Sequence, residues 1–407
     1  MITTRYLILG AGPSGLACAH ALRGMGIPDA DILVLEQCKT AGGLCRSMDV
    51  DGAPLDIGGG HFLDVRNKQV LEFLFTFMPA EEWNTFQRVA KISLRGQQVD
   101  HPLEANLWQL SKADQVEYLE AIAMSGSVRG AKMPDSFVEW VRWKLGERLA
   151  QDYMLPYNRK IWSMDLDRLG TYWLHKLPDV SFRESLRSCL EGTPFGTLPA
   201  HGIFLYPKKH GYGEVWRRMG VALGDRLVTD CPVTAIDVER HIVNNRFQAE
   251  TIISTIPWTI WPAIATVPAP VAARIGELTG VSITVEYHPE NLPTSAHWIY
   301  EPREDIPYHR ILVRRNFCPD SKGYWTETNT CRAGSSTGFS YRNDYAYPVN
   351  TRGKPEAVRA ILSWAKTMGI VGIGRWGAWE HMNSDVAVAE AFKAAAILLS
   401  PQTQSRP

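Results

Sequence analysis

The chain is poor in cysteine: seven residues in 407, scattered along its length. No two stand at CxxC spacing, which argues against a structural zinc site, and the odd number argues against a disulfide framework. Net charge is missing as well, because 43 Lys and Arg balance 43 Asp and Glu. That balance gives no whole-molecule attraction to nucleic acid or to an anionic membrane, and leaves only a local basic pocket open. Long apolar runs are absent. The longest uncharged stretch, 251–273, carries Pro257, Pro262, Pro268 and Pro270, which argues against a lipid-spanning helix. The opening MITTRYLILGAG has no basic leader, so the expectation is a cytoplasmic protein without a signal peptide. No Gly/Ser/Pro-rich linker and no internal repeat divides the sequence, and it leaves the oligomeric state open.

What is present is an ordinary globular apolar content of 45% and an unusual 14 Trp. Tryptophan at that level suits either a buried planar ligand or a large core. At roughly 150 residues per domain, the length allows two or three domains.

The N-terminus is the most informative region. Residues 6–9 read as a short apolar strand, followed by Gly10-Ala11-Gly12-Pro13-Ser14-Gly15 and an Ala/Leu-rich helix to about Arg23. Residues 31–35 read as a second strand ending at Glu36. In this order Gly10 permits a tight turn, Gly12 lets backbone approach a pyrophosphate, and Gly15 lets the helix pack on the sheet. The helix N-terminus offers amides to phosphate, and Glu36 suits a ribose hydroxyl. Two further glycine turns follow closely, Gly42-Gly43-Leu44-Cys45-Arg46 and Asp56-Ile57-Gly58-Gly59-Gly60-His61. They suggest a long ligand threaded along the sheet edge.

Farther along, helical spacing marks 66–78, most of 108–195, 354–367 and 385–400. Strand-like alternation marks 86–100, 227–257 and parts of 275–345. The predicted fold class is α/β: a Rossmann-like dinucleotide domain from discontinuous segments (1–75, 196–262, 365–401), a mainly helical region (76–195) and a sheet-containing region (263–364). Residues 402–407 are a polar tail. The cleft between these parts is the default site.

The glycine segments resemble the flavoprotein superfamily of amine oxidases, protoporphyrinogen oxidase and UDP-galactopyranose mutase. The resemblance implies FAD on Gly10, Gly12, Gly15, Glu36, Gly42, Gly43, Arg46, Gly59, Gly60 and Val233. Four segments narrow it to the mutase: Pro156-Tyr157-Asn158-Arg159-Lys160-Ile161-Trp162, the 298–310 stretch from Trp298 through Tyr300 to Arg310, Tyr347-Pro348, and Gly374-Arg375-Trp376-Gly377 with Asn383 and Asp385. The 298–310 stretch is similar to the substrate segment of the eukaryotic-type mutases. The resemblance then implies a redox-neutral pyranose-to-furanose conversion of a nucleoside diphosphate sugar, with reduced flavin acting covalently through N5 and NADPH or NADH as reductant. It assigns Arg310, Tyr300, Tyr347 and Lys176 to the diphosphate, and His61 and Arg375 to the flavin side. Gly374, Asn383 and Asp385 go to the cofactor, Asn158 to the substrate and Trp298 to the sugar pocket.

The chain departs from the mutase pattern at the base-binding stretch, where His101, Leu103 and Glu104 replace aromatic residues and a glutamine. An ionised carboxylate accepts from cytosine or guanine N–H groups but cannot donate to a uracil carbonyl. His201 and His381 stand where the pattern has Asn and Tyr. The competing reading is an ordinary FAD oxidase or dehydrogenase, whose substrate gives no reason for an Arg–Tyr phosphate clamp. A third is a flavin-dependent binding or assembly protein.

Overall fold

The computed structural model describes residues 1–174, 179–196 and 202–400. Its first sheet is ordered 227–228, 32–35, 2–9, 247–254, 242–243, 236–237, with Ile370–Gly372 also paired to Phe247–Ser254. The strands Ile2–Leu9, Ile32–Leu35, Phe247–Ser254 and Ile370–Gly372 are parallel. Residues far apart in sequence therefore build one nucleotide domain, as the sequence predicts. Its central strands are apolar on both faces because both are covered. Tyr6 and Ile8 enter one core with Leu16 and Ala17 of the Pro13–Gly24 helix. Leu7 and Leu9 enter the other with Trp258, Trp261 and Ile361.

The second sheet runs in the order 340–348, 280–288, 324–329, 310–312, 298–300, 90–94, 97–100. Its last two strands belong to the region expected to be mainly helical. The parallel pairing of Trp298–Tyr300 with Ala90–Leu94 makes the boundary between 76–195 and 263–364 one of sequence, not of hydrogen bonding. Likewise Ile203–Pro207, grouped by sequence with the nucleotide domain, pairs with Leu63–Asp64 and Trp83–Gln87 in a small third sheet. The helices Lys112–Ala123, Phe137–Leu149 and Leu155–Trp162 form the cap. No helix among the described residues is long and apolar enough to cross a membrane.

Cross-strand register places the cleft chemistry. Tyr300 pairs with Arg310, and Arg310 with Glu327, so the three lie in one row across three strands. Directly opposed residues share a face of the sheet.

Candidate functional site

One wall of the site is backbone. Gly10 has φ +99°, and a Cβ there would stand 2.4 Å from Thr255 Oγ1. A Cβ on Gly15 would stand 2.0 Å from Gly10 O, which is why the first helix lies so close to the strand it follows. That helix has no side-chain cap and no acid in its first turn, so its leading amides suit an anion. The Gly42 amide donates to Ala11 O (2.8 Å) and the Ile57 amide to Arg46 O (3.1 Å). A Cβ on Gly58 would reach Leu44 O at 1.8 Å. The three glycine segments thus touch in series and make one backbone trough, packed too tightly for a side chain at Gly10, Gly15 or Gly58.

The ends of the trough are fixed by named groups. The buried Glu36 carboxylate accepts from the amides of Ala11 (2.8 Å) and Cys38 (2.9 Å). The segment leading to Val233 runs beside it, with the Cys231 amide on Glu36 O at 2.9 Å. Arg46 donates to Gly43 O (3.0 Å) and to Tyr341 Oη (3.1 Å). At the C-terminal side Gly374 abuts Ser14, where a Cβ would lie 2.0 Å from Oγ. Asn383 precedes the Ser384–Leu399 helix, and Asp385 lies buried in its first turn. Burial pushes the Asp385 carboxyl up, with Asp64 adding to the effect.

The facing wall is made of side chains. Phe62 stacks on Trp298 at 5.0 Å between ring centroids. Trp298 Nε1 donates to Tyr300 Oη (3.0 Å), which also accepts from Arg88 Nη2 (3.3 Å). Arg88 lies 4.9 Å over the Trp298 ring and bonds His101 Nδ1 at 3.0 Å. Burial, and then the Arg88 charge, hold the His101 imidazole well below its ordinary range, so it accepts that bond as a neutral ring. Arg310 donates to Glu327 Oε2 through Nε (2.8 Å) and Nη2 (2.6 Å). Burial opposes its charge, but Glu327, followed by the hydroxyls of Tyr347, Tyr157 and Tyr300, raises its pKa. Tyr347 lies 5.0 Å from the His381 ring and 5.6 Å from the Arg375 guanidinium.

The two walls meet at His61 and Gly60. His61 Nδ1 bonds Gly59 O at 2.9 Å, which requires the proton on Nδ1. The Gly60 amide donates to Glu327 Oε1 at 2.7 Å. Behind the loop the buried Asp56 accepts from Ser47 Oγ (2.6 Å), Tyr206 Oη (3.1 Å) and the Tyr212 amide (3.2 Å). Burial pushes its carboxyl up to about 7.

Trp298 thus bonds Tyr300, Tyr300 pairs across the strands with Arg310, and Tyr347 touches both His381 and Arg375, while His61 follows the Gly60 amide that meets Glu327. Asn158 is different. Its amide donates to Met154 O (2.8 Å) and accepts from Trp162 Nε1 (2.9 Å), so both ends brace its own helix. Arg375 likewise spends its guanidinium on Ala346 O (2.8 Å) and Met382 O (2.7 Å). Glu104 is buried, and burial pushes its carboxyl up, against the lowering effect of a backbone amide and the Lys144 charge. Lys176 and His201 lie outside the described residues. Sequence reading missed Arg88 and Glu327 and gave Tyr157 no role. The one available signal was an acid two residues after Trp325, in a strand otherwise free of charge, Tyr324–Asn329.

Comparison with known proteins agrees with this layout. Residues 8–77 match the family model described as an NAD(P)-binding Rossmann-like domain. A crystal structure of reduced UDP-galactopyranose mutase superposes with a TM-score of 0.86 at 22% identity, covering 98% of this chain and 94% of that one. This is the flavoprotein oxidoreductase fold. A protein from Exiguobacterium sp. 255-15, assigned as a protoporphyrinogen oxidase, gives 0.71 at 16% identity over 97% of this chain and 98% of its own. A 54-residue stretch is 48% identical to an uncharacterized protein in the nifH2 3′ region of Methanothermococcus thermolithotrophicus. That is 13% of this chain and 49% of the relative, so the match spans about half the relative's length.

Proposed function

We propose that the chain binds FAD in the glycine trough and interconverts the pyranose and furanose forms of UDP-galactose or a related nucleoside diphosphate hexose, without net redox change. One observation carries the reading. A half-buried cation, Arg310, shares its surroundings with Tyr157, Tyr300 and Tyr347 and is tied through Glu327 to the loop that holds His61. A diphosphate leaving group needs such a cation, whereas an amine or a polyene has no use for it. The trough fits a dinucleotide: an uncapped helix N-terminus, a backbone line without side chains, and an acid at the end of the second strand.

Reduced flavin, when bound, supplies a nucleophilic nitrogen to the anomeric carbon. The rest falls to the chain. Arg310, Tyr347 and Tyr300 bind the diphosphate and stabilise the charge it gains as the glycosidic bond breaks. Trp298 and Phe62 wall the sugar pocket and keep water out. His61 would serve the flavin side. Arg375 fixes the backbone on either side of the Tyr347–His381 pair. Glu104 and His101 stand at the base end. An FAD oxidase reading draws on the apolar Phe62–Trp298 stack, and it expects net oxidation of substrate.

The test is a panel. FAD-loaded protein, reduced by dithionite or NAD(P)H, is incubated with uridine, cytidine and guanosine diphosphate hexoses, and products are separated by ring form. A furanose product from one of them is expected. No ring-form change with any of them, with flavin fully reduced, would sink the proposal.

A further inference from the structure

We propose that Glu327 is a positioning residue that joins the anion-binding side of the cleft to the cofactor side, so that Arg310 and the glycine loop bearing His61 are held as one unit. Only the substrate arm of this inference rests on the nucleoside diphosphate reading.

The geometry is specific. Glu327 is fully buried near the middle of the Tyr324–Asn329 strand. Its two oxygens serve different segments of the chain. Oε2 takes Nε and Nη2 of Arg310 at 2.8 and 2.6 Å, while Oε1 takes the Gly60 amide at 2.7 Å. The loop approaches so closely that a Cβ on Gly59, where φ is +97°, would stand 2.7 Å from Oε1. A Cβ on Gly60 would stand 2.7 Å from Leu312 Cδ1. The consecutive glycines at 59 and 60 are thus explained by the approach to this strand and its neighbour as much as by a cofactor.

The chemistry follows from donor arithmetic. A guanidinium has five N–H groups in one plane. Two of Arg310's nitrogens are committed to Glu327, which fixes that plane, and Nη1 has no protein partner among the described residues. An anion entering the cleft meets Nη1 and competes with Glu327 for the same cation. Any shift of the carboxylate is felt at Gly60, next to His61. Coupling of this kind is reciprocal, so a change at the loop alters the arginine as well.

The test uses the full-length, FAD-loaded protein and four variants: Glu327→Gln, Glu327→Asp, Arg310→Lys, and Glu327→Gln with Arg310→Lys. The first readout is the visible spectrum and midpoint potential of the bound flavin, without substrate. Glu327→Gln is expected to shift both. Arg310→Lys shifts them less and in the same direction, and the double variant matches Glu327→Gln alone, because neighbours in one network are not additive. The second readout is turnover of UDP-galactopyranose. Glu327→Gln lowers kcat by about tenfold or more with a smaller change in KM, and Glu327→Asp, which keeps the charge on a shorter arm, recovers part. An unshifted flavin in Glu327→Gln, or shifts that add in the double variant, overturns the proposal. If Glu327→Gln does not fold, Glu327→Asp and Arg310→Lys carry the comparison, and unshifted flavin in both overturns it. If the native protein turns over no UDP-galactopyranose, the substrate reading for that sugar fails, and the flavin readout still decides the coupling.

Discussion

The two walls of the cleft are built by opposite means. The cofactor wall is backbone: amides, carbonyls and the missing side chains at Gly10, Gly15 and Gly58. The facing wall is side chain: Arg88, Trp298, Tyr300, Arg310 and Tyr347, brought together from strands and loops far apart in sequence. A backbone site tolerates no added atom but is indifferent to charge. A side-chain site tolerates changes of volume but depends on every charge being matched. Substitutions on the two walls should therefore fail in different ways.

The largest effect on function, loss of the bound cofactor, is expected at Gly15→Ala. The added methyl would sit 2.0 Å from Gly10 O, where backbone cannot yield. Overpacking of this kind costs about 1–3 kcal/mol, and the turn proposed to hold the cofactor goes with it. Thermal melting together with flavin released on denaturation measures both losses, and normal melting with full flavin would refute the backbone account of this wall.

Arg310→Ala comes next and should fail by charge. It leaves Glu327 buried without its cation, which costs about 3–5 kcal/mol of stability in comparable pairs. Turnover falls as well. Arg310→Lys keeps the charge and loses the planar fork, so it should melt near the native protein and recover only part of the turnover. Equal stability of the Ala variant would mean that the ion pair is not what holds this wall.

Asp56 gives a smaller effect with a definite sign. Burial raises its carboxyl to about 7 in the folded chain, well above the unfolded value. The folded state then binds the extra proton between about pH 4 and pH 7. The stability from this group is full below the unfolded pKa and is lost as pH rises through 7. Melting temperature across that range should fall with pH in the native protein and fall less in Asp56→Asn. Identical profiles would refute the assignment.

The smallest effect is expected at Glu104→Gln. Replacing this buried acid by an amide should move the ratio of turnover efficiencies for uridine and guanosine diphosphate sugars toward uridine by less than about tenfold. An unchanged ratio would show that Glu104 does not read the base.

The same contrast explains what was legible in the sequence. The cofactor wall could be read because glycine spacing, a flanking strand and a following acid are local features. Gly10, Gly12, Gly15 and Glu36 fall within one strand–helix–strand unit. The segments carrying Arg310 and Tyr300 were found by resemblance rather than by pattern. Arg88 and Glu327 were missed because their roles depend on register. Nothing near residue 327 announces that Arg310 is its cross-strand partner or that Gly60 will donate to it. Asn158 shows the complementary limit: the motif alone does not reveal that one donor and one acceptor of its amide are engaged within its own helix.

The most direct test of the central proposal is a redox count. FAD-loaded protein is reduced once, excess reductant is removed, and UDP-galactopyranose is added without oxygen. Many turnovers to the furanose form, with the flavin still reduced at the end, are the expected result. No change of ring form here, with substrate oxidised in a parallel sample of oxidised enzyme in proportion to the electron acceptor supplied to it, would contradict it and make the protein an oxidase on the same fold.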